Sequence, residues 1–131
     1  MEGDAVNTEL TKTQQLLLYT KQLQQLNKQA YDQYHNRTKH EGYEVNFYEE
    51  VKPFADEVLA ISNNWKPLAE EWIADAKPKY VYPIQIHDTY ENLTIISVTA
   101  FQKDTKEKRF NEMIKSIDYV LHAMIEQLKY A

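Results

Sequence analysis

The chain contains no cysteine. That excludes disulfides, a thiolate zinc site and a thiol nucleophile, and it is the usage expected in the reducing cytosol. Glycine is nearly as scarce, with Gly3 and Gly42 only. Strand-rich domains spend glycine and proline on many turns, so the scarcity predicts few connections and long elements. It also excludes the glycine-rich phosphate loops of nucleotide-binding folds. Apolar runs are short, three or four residues at most, as in Leu16-Leu17-Leu18, where a bilayer span needs roughly 20. The opening MEGDAVNTEL is acidic and polar. It has neither the basic start nor the apolar stretch of a secretory signal. We therefore expect a cytoplasmic protein without membrane association.

A basic excess is missing too. The formal charge is −5, and no cluster of lysine and arginine offers a footprint for nucleic acid, so none is expected as a partner. The charge is unevenly placed. Residues 12–40 carry Lys12, Lys21, Lys28, Arg37 and Lys39 against Asp32. Residues 41–77 carry nine acids against Lys52, Lys66 and Lys77. A basic first helix beside an acidic second segment is read as internal complementarity in preference to a dipolar docking face.

The pattern that is present is helical. A chain of 131 residues is the size of one domain, and it can bury roughly two thirds of its unfolded surface without a staple. Leu16, Tyr19, Leu23, Leu26, Ala30 and Tyr34 recur at spacings of three and four. They predict a first helix from about Thr8 to about Lys39, its outer faces filled with glutamine. Gly42 marks the first loop. Asn46, with Glu49 three residues on, reads as the cap of a second helix. Its stripe runs Phe47, Val51, Phe54, Val58, Ile61, Trp65, Leu68, Trp72 and Ala76. The stripe keeps phase across Pro67, which predicts one helix kinked there over two separate ones.

Pro78 and Pro83 bracket an extended connection, and Pro83 suits the first position of a third helix. Residues 84–102 are ambiguous, because Leu93-Thr94-Ile95-Ile96-Ser97-Val98-Thr99 is β-branched and reads alone as a strand. Ile86, Tyr90, Leu93, Ser97, Ala100 and Phe101 nevertheless form a helical stripe, and a lone strand would leave its ladder unpaired. Helix is therefore expected. Asp104, with Glu107, is read as the cap of a fourth helix whose stripe is Phe110, Met113, Ile117, Val120, Met124 and Leu128. The expectation is all-α: one antiparallel up-and-down bundle of about four helices over 1–131, with 1–7 as a flexible tail.

The strings VKPFADEVLAISNNWKPLAEEW and YENLTIISVTAFQKDTKEKRF resemble the YppE-like proteins of Gram-positive bacteria over roughly residues 46–125. The resemblance implies a small helical bundle in the cytosol. It carries over no catalytic or binding residues, because that family's function is uncharacterised.

Chemistry is sparse. Ser62, Ser97 and Ser116 are the only serines, and none sits on a glycine-flanked strained turn, so no catalytic residue is expected. His87 and Glu91 are four apart on helix three, and His122 and Glu126 four apart on helix four. In an antiparallel hairpin the two pairs lie at similar height and are the candidate metal ligands. Both pairs flank the inner stripe rather than occupy it. No glutamate precedes a histidine by three, as di-iron bundles require. No metal and no cofactor is therefore expected.

Aromatics are abundant, with ten tyrosines, four phenylalanines and two tryptophans. Trp65, Trp72, Tyr80 and Tyr82 are read first as filling a splayed bundle and second as a binding surface. What remains is a non-catalytic protein, monomer or weak homodimer, that acts through an unidentified protein partner. The alternative is a small-molecule or metal-binding bundle, possible as an enzyme only if a pocket gathers polar groups. The partner itself cannot be read from the residues.

Overall fold

The first helix supplies its own cap. In the computed structural model, which describes residues 9–131, the Gln14 backbone N–H donates to Thr11 Oγ1 at 3.0 Å. The Thr11 N–H in turn donates to Gln14 Oε1 at 2.9 Å. This capping box satisfies donors that a helix start otherwise orphans. The helix therefore begins at Lys12, later than the start expected at about Thr8, because Thr11 takes the cap and residues 9–11 stay outside the helix; the tail expected at 1–7 lies outside the described residues. Helix α1 spans Lys12–Gln33 and continues through a π-helical turn, Tyr34–Thr38.

Asn46 caps the second helix as expected, with its Oδ1 accepting the Glu49 N–H at 3.0 Å. Glu49 closes on the Asn46 side chain at 2.7 Å rather than on its backbone. A second π-helical turn, Phe47–Val51, leads into α2, Lys52–Ala76. Pro53 accounts for that wide turn: it lacks a donor, and its ring would crowd the Glu49 carbonyl in a regular helix. Phe47 heads the predicted stripe but is exposed, because the wider turn shifts the phase ahead of Val51. One helix runs through Pro67, as the unbroken phase required.

Helix α3 spans Pro83–Thr99 and α4 spans Glu107–Leu128. The β-branched run is helical. Leu93, Ile96, Ser97 and Ala100 are buried, and the hydroxyls of Thr94, Ser97 and Thr99 bond to helix carbonyls three or four residues back. Burial of one face outweighs the modest β-propensity of these residues.

Asp104 does not cap α4. Lys106 holds that position without a side-chain bond, because the preceding residues serve the end of α3. Thr105 Oγ1 donates to the Thr99 carbonyl at 2.6 Å and Thr38 Oγ1 to the Ala100 carbonyl at 2.6 Å. Two threonines thus close α3 where a glycine is more usual.

Each helix packs on the next, and α4 returns to α1. Cross-links run in opposite register throughout. Thr20 meets Trp65, Asn63 meets Tyr90, Lys79 meets Gln127, and Asn27 meets Ile114. This is the up-and-down antiparallel bundle. Val58, Trp65, Leu93, Phe110, Ile117, Val120 and Met124 are buried as expected, whereas Phe54 and Leu68 are half-buried. Among the described residues, no helix is long and apolar enough to cross a membrane.

Candidate functional site: the groove at the first-loop end

The first loop and the α3–α4 turn emerge at the same end of the bundle, and a groove of about 790 Å³ lies between them. Tyr43, Glu44, Val45, Phe47 and Val51 form one wall, and Val98, Phe101, Gln102, Lys103 and Asp104 the other. Val51 and Phe101 are the groove's buried lining residues, and Phe101 packs edge to face on Phe54 of α2, with ring centres 5.7 Å apart. Val45 is 55% exposed and Phe47 54% exposed. Tyr48 beside them is more open still, and packs edge-on against Phe47. Contiguous exposed aromatic and aliphatic side chains around a concavity are unusual on a monomer surface and mark contact sites.

The wall is held by a polar network. Gly42, at φ 88°, turns the chain where a side chain would be strained. Tyr43 then returns towards α1. Its hydroxyl donates to Glu50 Oε1 at 3.0 Å and accepts from Gln33 Nε2 at 3.2 Å. Arg37 bonds Glu50 Oε2 at 2.7 Å and Gln33 Oε1 at 2.9 Å, and stacks over the Tyr43 ring. Gln33 also reaches Thr38, which holds the end of α3. The network therefore ties both walls to one set of side chains. Hydrogen bonding from the Arg37 guanidinium, with further help from Tyr43, holds the Glu50 carboxyl below the usual carboxylate range. Burial, then the bond to Glu50, pushes the Tyr43 phenol up.

A depressed carboxylate stabilises the fold above its unfolded-state value, and that contribution is lost as pH falls through the folded one. Acidification from pH 6 into the range below about 4 should therefore weaken the protein, and Glu50→Gln should lessen the slope. Glu50 keeps about 28% of its side chain exposed, so its share is small, ~0.2–1 kcal/mol. Urea midpoints at pH 6 and pH 3.5 for both proteins test this. Identical pH slopes would show that the network contributes nothing.

The residues singled out from sequence lie elsewhere. Trp65 is fully buried, and its indole N–H donates to Thr20 Oγ1 at 3.1 Å while Thr20 donates to the Leu16 carbonyl at 2.6 Å. It belongs to the core and not to a surface. Trp72 is half-buried in a small recess of about 270 Å³, beside Leu16, Leu68 and the Lys12–Glu71 ion pair. Tyr80 and Tyr82 are exposed on the α2–α3 connection, and neither lines that recess. The four aromatics do not form one site. Their connection is instead gripped by Gln127, whose amide bonds both the N–H and the carbonyl of Lys79.

The candidate metal ligands do not converge either. His87 and Glu91 pair with each other at 3.2 Å on the exposed face of α3. Their ligand atoms gather with Asp88, and neither His122 nor Glu126 joins that group. Glu126 bonds Lys129 at 3.0 Å, which holds its carboxyl below the usual range. Three exposed side chains on one helix can meet an ion on one side only, and they lack the enclosing geometry that metal sites demand.

Sequence reasoning missed Val45, Phe47, Val98 and Phe101 as a group. The one available signal was the adjacent pair Phe47-Tyr48 on a predicted helix, since neighbours in sequence cannot both face the core.

Residues 20–128 match the family described as "Bacterial domain of unknown function (DUF1798)". The uncharacterized protein YppE of Bacillus subtilis is 28% identical over 116 residues, covering 88% of this chain and 94% of that protein. Its crystal structure aligns with a TM-score of 0.81 at 27% identity, over 88% of this chain and 93% of that one. A protein of unknown function from Listeria innocua aligns at 0.84 and 27% identity, over 91% and 94%. A Staphylococcus aureus domain aligns at 0.77 with 23% identity, over 86% and 95%, which shows likeness of fold alone.

Proposed function

The chain belongs to the bacterial DUF1798 family, and from the geometry of its loop-end groove we propose that it is a non-catalytic recognition module which binds a partner protein in the cytoplasm. The observation that carries this reading is the groove itself: apolar walls with Val45 and Phe47 more than half exposed. An open trough of this kind buries too little of a small molecule, which binding pockets usually enclose by 70–90%, but suits an apolar segment of another chain. The polar groups nearby face one another in the Gln33–Arg37–Tyr43–Glu50 network instead of converging on a reactant. The cysteine-free composition supports the cytoplasmic placement. The net acidity supports a protein partner over nucleic acid.

Photo-crosslinking in the producing cell tests the reading. A benzophenone amino acid at Val45 is expected to yield a discrete crosslinked polypeptide that is absent when the probe replaces Lys21 on the outer face of α1. Phe47→Ser should reduce that product several-fold, as expected for an aromatic anchor worth at least ~1 kcal/mol. Equal products at both positions, or none at Val45, would overturn it.

A further inference from the structure

We infer that the partner at this groove is a second copy of the chain, seated about a two-fold axis that runs along the groove; the inference rests on the reading of the groove as the partner surface. The two walls carry opposite charge. Glu44 lines the first wall, and Glu41 stands exposed on the loop that leads into it. Lys103 lines the second wall. Beyond it, Lys106 and Arg109 stand exposed in a recess that shares Gln102 and Asp104 with the groove. On that side three bases face outward with Asp104 as the acid among them. Among the described residues, none of these six charged side chains has an ion-pair partner. Other nearby charges are matched within the chain, Arg37 by Glu50 and Lys39 by Glu107. The acidic and basic walls stand apart across a space of about 790 Å³, so a single copy leaves them unmatched.

A second copy matches them. An isologous contact sets one patch against the same patch of its twin. With the axis along the groove, each first wall faces the other copy's second wall, so Glu44 meets Lys103, Lys106 and Arg109 twice over. The same operation sets Val45 and Phe47, both more than half exposed, against Val98 of the other copy, which is 37% exposed. An axis across the groove would oppose acid with acid and base with base. The charges therefore select the first orientation, and rim charges of this kind set partner choice while remaining screened by salt.

Sedimentation velocity of the full chain over roughly 5–500 μM, near 50 mM salt, should show a monomer–dimer equilibrium that weakens towards about 500 mM. Glu44→Lys and Lys103→Glu, both at exposed positions that the fold tolerates, each bring like charges together at both contacts and should each weaken the dimer about tenfold. In an equimolar mixture of the two variants both contacts regain opposite charges, and association should return to within about threefold of the unsubstituted chain. Phe47→Ser should abolish the dimer of the otherwise unsubstituted chain. Failure of the mixture to recover would overturn the two-fold arrangement, and a dimer indifferent to Phe47→Ser would overturn the inference by placing the contact elsewhere. A monomer at every concentration, with Val45 crosslinking to a different polypeptide, would overturn the second-copy inference and leave the groove reading standing. A monomer with no discrete product at Val45 would overturn both.

Discussion

Trp65→Ala should cost about 3–5 kcal/mol of stability. The side chain is completely buried midway along α2, so truncation removes the largest apolar contact in the core and leaves a cavity that helix ends cannot collapse to fill. Its hydrogen bond matters less. Thr20 keeps its own bond to the Leu16 carbonyl, so removing the indole does not leave the threonine donor orphaned. Trp65→Phe, which retains most of the ring volume, should therefore lose only about 1–2 kcal/mol. Urea unfolding followed by far-ultraviolet circular dichroism separates the two. The midpoint should fall while the slope stays near the wild-type value. A loss below 1 kcal/mol for the alanine variant would mean that Trp65 does not occupy the core.

Phe110→Ala is expected to lose a similar ~3–5 kcal/mol, and Phe54→Ala clearly less, about 1–2 kcal/mol. Both are stripe phenylalanines, and periodicity alone ranks them together. Phe110 is buried, and its ring packs 4.6 Å from that of Tyr34, whose hydroxyl donates to the Thr105 carbonyl at 2.9 Å. Truncation there loosens the joint between α1 and the start of α4. Phe54 is half-buried beside Phe101, so alanine opens less of a cavity and water can reach part of it. Equal losses in the two variants would contradict this order of burial.

Much of the fold was legible because helical periodicity and capping are local signals. The Leu16-to-Tyr34 stripe, the Asn46 cap, Pro83 at the first position of α3 and the unbroken phase across Pro67 all appear where the residues placed them. The resemblance read from residues 46–125 agrees with the family match over residues 20–128. Internal charge complementarity was legible in part: Lys12 meets Glu71 and Arg37 meets Glu50, while Glu44 at the groove has no ion-pair partner among the described residues.

The candidate site was not legible, and the reasons are particular. Phe47 fits the stripe by spacing, but a π-helical turn ahead of Pro53 exposes it. Asp104 looks like a cap, but Thr105 is drawn to the end of α3 and the helix begins later. In the first case the outcome turned on a local change in turn width, and in the second on side-chain bonds that close the end of α3.

Sequence alone determined that this protein is a helical bundle, where its long elements lie and which stripe of each turns inward, because apolar spacing and end-caps act within a few residues. Only the tertiary structure decided which aromatics are core and which are open, and that a groove exists at all. A groove is the space between a loop after α1 and a turn after α3, segments more than fifty residues apart in the chain. No local pattern encodes that juxtaposition; the packing of the four helices creates it.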